Sequence, residues 1–433
     1  MKKILTLAAV ILMIATVLVP AAGSAEGGSG KPSLRFATTW GAADSKGVYF
    51  MPMLEKFAEE HSEEFDLSIE EYGSDDMVTK ITVELSSGEL PDIFSYWGGI
   101  QRLGPLVEGD ALLDMDEFFA ATDVAARNDF TQAGINHFTI DGVLRGIPME
   151  ANIASFVCNK EMFDKYGVEL PETYQDMVAA GRVFRQNGII PFAMASNGGN
   201  PSHFWFSEMY KQFDGALQQI RTLPKTREFA TDNALKVANI IVDMRENELL
   251  PADTVSNGAW GPAFALYNEE RAAMIYTYPW MLGSMDQGVQ DKSVVIDVPM
   301  MPGGTVDSST FISGFATFGF VVNKKSFNDP QKRDALMELA EFMISDEMFN
   351  ELMKGGLIPT KSYDMPFDAF NDIMQQTLKH YQGYQQTTSH FWQMHDPAVA
   401  NAFKAALDEI YAGIIGPEEF VQKVQAAFDE SDL

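Results

Sequence analysis

Ser33-Leu34-Arg35-Phe36-Ala37-Thr38-Thr39 alternates apolar and polar residues and stops at Trp40. A two-residue period is the mark of a strand with one buried face. Residues 48–60 then repeat apolar side chains at helical spacing (Met51, Leu54, Phe57, Ala58). Residues 66–72 (DLSIEEY) alternate again, and 75–87 set Met77, Ile81 and Leu85 on one helical face. Pro91-Asp92-Ile93-Phe94 forms a short strand entering Ser95-Tyr96-Trp97-Gly98-Gly99. Strand and helix in alternation predict an α/β fold with a mostly parallel sheet and helical crossovers.

A second set begins near Gly146. Strands are expected at 153–157, 189–194, 272–276 and 294–298, with helices at 172–187 and 232–246, the latter capped by Asp232. Residues 315–323 (FATFGFVVN) form a continuous apolar strand, and the chain beyond is helical: 330–344, 346–354, 367–381, 398–411 and 417–428. No composition shift or long linker interrupts this order. With 433 residues, two or three domains or two packed lobes are expected.

Lys and Arg total 31 against 61 Asp and Glu, a net charge of −30. Such a surface repels phosphate backbones and anionic lipids, which excludes nucleic-acid binding and a polybasic membrane patch. Cys158 is the single cysteine, so there is no intrachain disulfide and no cysteine-based metal site.

Lys2 and Lys3, the apolar run 4–19, Pro20 and Gly23-Ser24-Ala25 together have the three parts of a secretory signal cut before Glu26. The apolar run is short for a membrane span. No cysteine follows it, so no lipid anchor forms at the cut, and a soluble periplasmic protein is expected.

Ligands of open α/β sheets sit beyond the carboxyl ends of strands. Trp40 and Trp97 follow strands there, Glu150 and Asn152 flank the Gly146-Ile147-Pro148 turn, and Trp280 follows the 272–276 strand. All six tryptophans (Trp40, Trp97, Trp205, Trp260, Trp280, Trp392) lie at element ends or in loops. An indole offers a flat apolar face and one N–H, which suits the C–H face of a sugar at ~0.5–1.5 kcal/mol per stack, by analogy with aromatic pairs. Hydroxyl edges then want carboxylates and amides. Candidates are Asp44, Asp75, Asp76, Glu150, Asn152, Asn200, His203 and Asp307.

The 24 methionines read as gap fillers, and no metal or cofactor is expected. H-E-x-x-H, G-x-S-x-G and G-x-x-x-x-G-K-[ST] are all missing. A pair of distant glycosidase carboxylates leaves no sequence signature, so a secreted carbohydrate enzyme stays open, as does a polyamine-type binding protein.

Asp141-Gly142-Val143-Leu144-Arg145-Gly146-Ile147-Pro148, Val157-Cys158-Asn159-Lys160-Glu161-Met162-Phe163 and Gly167-Val168-Glu169-Leu170-Pro171-Glu172-Thr173-Tyr174 resemble a characteristic stretch of extracellular solute-binding proteins of family 1. These are the sugar-binding subunits of ABC importers, related to maltodextrin-binding protein. Arg145 stands where Tyr is frequent and Tyr174 where Trp is. Leu90 to Phe94, Glu270 to Met274 leading to Pro279-Trp280, Ser313-Gly314-Phe315 and Leu357 to Lys361 extend the resemblance over nearly the whole chain after the leader.

The resemblance implies a type II periplasmic-binding-protein fold. One lobe would take 26–146 plus 324–365, the other 147–323 plus 366–433. It places the cleft at Trp40, Trp97, Asn152, Phe204 or Trp205, Trp260, Trp280, Gly314-Phe315 and Trp392. It implies a monomer that closes on a mono- or oligosaccharide and presents it to ABC-transporter permease subunits.

Overall fold

The computed structural model describes residues 30–42, 44–387, 391 and 396–431. The expected leader, Trp392, His390 and His395 lie outside the described residues. No helix among the described residues is long and apolar enough to cross a membrane.

Two hydrophobic cores organise the chain from Pro32 onward. The first gathers Leu34, Phe36, Phe50, Leu54, Phe94, Leu103, Phe320 and Leu352 around a mixed sheet. Strand Ser33–Thr38 pairs in parallel with Asp66–Glu71 and Ile93–Trp97. Alternation sends Leu34 and Phe36 inward while Arg35 reaches Glu70 and Glu84 on the outside. Helix Gly47–Glu60 covers this sheet with Phe50, Leu54 and Phe57, the i, i+4, i+7 stripe of an amphipathic helix.

The second core surrounds a four-stranded sheet in the order Ser293–Ile296, Ser155–Asn159, Ala272–Thr277, Ile190–Ala193. Helices Pro397–Ala412 and Pro417–Glu430 close it, and Phe206, Phe229, Phe391, Phe403 and Phe420 meet edge to face and tilted at its centre. Helix Asp232–Glu246 is capped by Thr231, whose hydroxyl accepts from the Ala234 N–H, and not by Asp232 as its sequence suggests. Thr231 is extended while Asp232 is already helical, which is what distinguishes a cap from a first-turn acid.

Two strands run between the cores. Ile147–Ile153 and Phe311–Val322 are antiparallel to each other, and Phe311–Val322 is also antiparallel to Ile93–Trp97. Parallel pairing holds where helices connect neighbouring strands. It gives way to antiparallel pairing here because these two strands cross in opposite directions, and Ser155–Asn159 is antiparallel to both Ala272–Thr277 and Ser293–Ile296 as well, so the sheets are mixed and not mostly parallel as expected. The lobe boundaries shift accordingly. Ile147, Met149, Phe318, Phe320, Val321 and Val322, expected with the second lobe, belong to the first core. Met353, expected with the first, belongs to the second.

Gly319 sits where the crossing strands bulge. A Cβ there would meet the Ile147 carbonyl oxygen at 2.0 Å, and a backbone atom in mid-sheet cannot step aside. Gly319→Ala is expected to lower stability by about 1–3 kcal/mol, read as a lower urea midpoint with unchanged slope.

Candidate ligand-binding site

On the first lobe the turn after strand Ser33–Thr38 carries Trp40, Asp44 and Lys46. Trp40 is only 2% exposed, enclosed by Phe50, Phe318 and Phe320 at 5.2–5.6 Å between ring centroids. It is a core residue with no face left for a ligand ring, which corrects its expected stacking role. What it does support is Lys46, whose ammonium lies 5.6 Å from the indole centroid.

Lys46 is buried and salt-bridged to Asp44 at 3.1 Å and Glu150 at 3.6 Å. Burial works against its charge, but Glu150 and Asp44 outweigh it and hold the ammonium above its ordinary range. Burial pushes the Glu150 carboxyl up, with Lys46 pulling the other way. One Glu150 oxygen is buried without a hydrogen-bond partner. Asp44 reaches toward solvent, its side chain 27% exposed. Asn152, also buried, stands two residues along the strand from Glu150 and so on the same face.

Trp97 is half-buried at the end of its strand, edge-on to Phe318 at 5.1 Å, with the Arg102 guanidinium 5.7 Å from its centroid. The following Gly98-Gly99 turn lies flat on His137: a Cβ on Gly98 would come within 2.5 Å of the imidazole, and Gly99 has φ +87°. Gly99 N–H also donates to the His137 carbonyl. Burial alone pulls the His137 imidazole down to about 4.

The second lobe offers an aromatic platform. Tyr276 lies near the end of strand Ala272–Thr277, the extended Tyr278 follows it, and Trp280 stands in the short helix Pro279–Leu282. Tyr278 and Trp280 stack at 4.8 Å and 6°. Trp260 stands perpendicular to both, 5.4 Å from Trp280 at 78° and 5.7 Å from Tyr278 at 84°, and Phe204 fills the corner at 4.9 Å from Tyr278 and 5.4 Å from Trp260. Phe204 and Tyr278 are buried, while Trp260 and Trp280 keep part of their surface exposed. The result is a floor and a wall of indole.

Trp205 is not part of it. It is 0% exposed, packed on Phe156, Phe192 and Tyr276. Neighbouring helix positions point about 100° apart, so Phe204 faces the platform and Trp205 must face the core.

Beneath the platform lies a buried polar network absent from the sequence-based candidates. Tyr276 donates to Glu208 at 3.0 Å, Ser313 donates to Glu208, and Lys211 donates to Ser313. Burial pulls Lys211 down to about 8 against the opposing pull of Glu208. Ser313 and Gly314 open the crossing strand here, and Gly314 is buried opposite Ile153. Phe315 pairs through its backbone with Asn152. The visible signals are the Tyr276/Tyr278/Trp280 two-residue spacing and a Glu–Lys pair three apart in the aromatic-rich segment 202–211.

The two lobes touch through glycines. A Cβ on Gly283 would fall 2.1 Å from the Gly355 carbonyl oxygen, one on Gly356 2.4 Å from the Pro279 carbonyl oxygen, and one on Gly355 2.6 Å from the Lys46 Cα. Ser45 Oγ donates to the Gly355 carbonyl at 2.7 Å. The Trp280 turn therefore rests on Gly355-Gly356, which rests on Ser45-Lys46. Of the sequence-predicted residues, Asp44, Glu150, Asn152, Phe204, Trp260, Trp280 and Gly314 gather on this side, with Trp97 on the adjoining strand. Asn200 Oδ1 accepts from His203 Nε2 at 2.9 Å beside Phe204. Asp75 and Asp76 occupy the first turn of helix Ser74–Ser87. Asp307 is exposed and accepts from Ser309 N–H and Oγ, so it caps its own turn.

Two α/β lobes joined by crossing strands, with aromatic and polar groups meeting between them, define a hinged ligand-binding fold. The chain belongs to the bacterial extracellular solute-binding protein family, whose profile matches residues 43–348. It is 22% identical over 284 residues to the multiple sugar-binding protein of Streptococcus mutans, an alignment that covers 62% of this chain and spans about 63% of that protein's length. Among solved structures, a chitin oligosaccharide binding protein superposes with a TM-score of 0.77 at 19% identity, covering 92% of this chain and 98% of that one. A structure described for xylan utilisation by Caldanaerobius polysaccharolyticus gives 0.76 at 20% identity, covering 91% and 99%.

His137 makes stability depend on acid. Its folded value, about 4, lies below the unfolded 6.5, so the unfolded chain binds its proton first. The contribution is fully present above pH 6.5 and is lost as pH falls through about 4, amounting to about 3 kcal/mol. His137→Gln is expected to flatten the fall in denaturation midpoint between pH 6.5 and 4. An unchanged profile removes His137 as its source.

Proposed function

We propose that this chain is the solute-binding subunit of an ABC importer that captures a mono- or oligosaccharide and delivers it, without chemistry, to a membrane permease. The observation that carries this is the Trp280–Tyr278 stack set perpendicular to Trp260, with Trp260 and Trp280 part-exposed beside the Asp44–Lys46–Glu150 group. Stacking surface on one lobe and charged hydrogen-bonding groups on the other match the two kinds of surface a sugar presents. The sugar-binding names of the relative and the neighbouring structures support the same reading. Secretion through the N-terminal leader and a monomeric, periplasmic state complete it.

The polar half also argues against the two rival readings. A polyamine needs several uncompensated carboxylates, whereas Lys46 already occupies both Asp44 and Glu150. A glycosidase needs carboxyl groups on opposite sides of a bond, about 5–10 Å apart; Asp44 and Glu150 converge on one ammonium instead.

Binding closes the lobes only as far as the ligand favours the closed form. Trp260 and Trp280 lie on one lobe and offer the first contact. Asp44, part-exposed, lies on the other and joins as the lobes meet, held by the buried Lys46 behind it.

Titration calorimetry of the chain without its leader against a saccharide panel is expected to find a ligand at micromolar affinity or tighter, with no product by chromatography. Trp280→Ala is expected to weaken it tenfold or more, about 1.4 kcal/mol. Conversion of the sugar, or unchanged affinity in the variant, would defeat the proposal.

A further inference from the structure

Helix Ser202–Lys211 turns one face toward the back of the aromatic platform. Phe204, Glu208 and Lys211 stand at i, i+4 and i+7 along it, which sets them on one side. Phe204 meets Tyr278 at 4.9 Å between ring centroids. One turn further, Glu208 accepts from the Tyr276 hydroxyl at 3.0 Å and from the Ser313 hydroxyl. Lys211 donates to Ser313 and lies 3.8 Å from Glu208. Glu208, Lys211 and Ser313 are all at most 1% exposed.

The donors leave one arrangement. Tyr276 and Ser313 each carry a single hydroxyl proton, and both protons are directed at Glu208. Ser313 Oγ is then the acceptor for Lys211, and Tyr276 Oη is left as an acceptor facing the Tyr278 hydroxyl 3.4 Å away. Tyr276 also meets Tyr278 edge to face at 5.8 Å and 81°, and Tyr278 stacks on Trp280. The other end of the network is held as firmly. Ser313 stands in crossing strand Phe311–Val322, and its carbonyl accepts from Ala154 N–H at 2.8 Å, one residue past crossing strand Ile147–Ile153. A continuous path runs from both crossing strands through Ser313, Glu208, Tyr276 and Tyr278 to the part-exposed Trp280.

Filling space does not call for such a network. A buried ion pair adds little stability over apolar side chains of the same volume, whereas its hydrogen bonds fix direction. The geometry points to Glu208 as a positioning residue that ties the Tyr278–Trp280 stack to the strands joining the lobes, so that the surface a sugar ring lands on is set before the sugar arrives. A ring already in place spares the ligand the cost of ordering it. This deepens the saccharide reading above, and its binding arm rests on that reading.

Glu208→Ala would leave the Lys211 charge buried alone and threaten the fold, so the test removes one hydroxyl on either side of Glu208, in Tyr276→Phe and in Ser313→Ala. Both are made in the chain without its leader, labelled with fluorotryptophan and checked for folding by thermal melt. The fluorine NMR resonances are assigned with tryptophan-to-alanine variants. Both hydroxyl deletions are expected to move or broaden the Trp280 resonance, while that of Trp40, in the other core, stays in place. Calorimetry then uses maltotriose, xylotriose and di-N-acetylchitobiose. A probe that binds is expected to bind about threefold to tenfold more weakly in each variant. That loss is expected to shrink below about twofold when Trp280→Ala is already present, because the hydroxyls act through the stack. A lower melting temperature with an unmoved Trp280 resonance, or the same loss of affinity with and without Trp280, would reduce the network to core filling and overturn the inference. If no probe binds, the saccharide reading falls and the Trp280 resonance alone decides this one.

Discussion

The pairing of Ile147–Ile153 with Phe311–Val322 is the constraint from which the rest of the molecule follows. These are the strands that leave one core and enter the other, and their backbones are locked to each other along the crossing. Glu150 and Asn152 are presented by one of them, Ser313 and Gly314 by the other. Phe318, further along, forms a wall against both Trp40 and Trp97. Register is enforced because a one-residue slip would turn Glu150 out of its contact with Lys46 and bury its neighbours' wrong faces.

Around this crossing the two lobes divide the work by chemistry. The second lobe contributes rings whose orientation is fixed by other rings, with Tyr278 clamped between Phe204, Trp260 and Trp280. Glu208, Lys211 and Ser313 anchor the same platform from below through Tyr276. The first lobe contributes a buried lysine whose charge is tolerable because two acids converge on it. Apolar packing sets the flat surface and ion pairing sets the polar one.

The period-two strand at Leu34 and Phe36 and the helical stripe at Phe50, Leu54 and Phe57 were legible because each buries one face of a regular element. Family-like motifs around Pro148 and Pro279-Trp280 mark the segments on which Glu150, Asn152 and Trp280 stand. Trp40 was misjudged because the residues that enclose it, Phe318 and Phe320, lie almost three hundred positions away. Trp205 and Phe204 could not be separated because helix Ser202–Lys211 is buried all round and so carries no polar stripe to mark its outer face. Lys46 was missed for a related reason: a lysine is legible as buried only once Glu150, about a hundred residues later, is known to sit beside it. The lobe boundary at Phe318–Val322 was hidden because an apolar strand reads the same in either core.

Gly283, Gly355 and Gly356 bring main chain directly onto main chain at this boundary. A contact of this kind leaves no side chain to be repacked at these three points when the lobes move. It also means that adaptation is unevenly distributed. Residues on either flank can be exchanged to suit a different cargo, but these three positions admit nothing larger than hydrogen, and the geometry of opening is inherited with them.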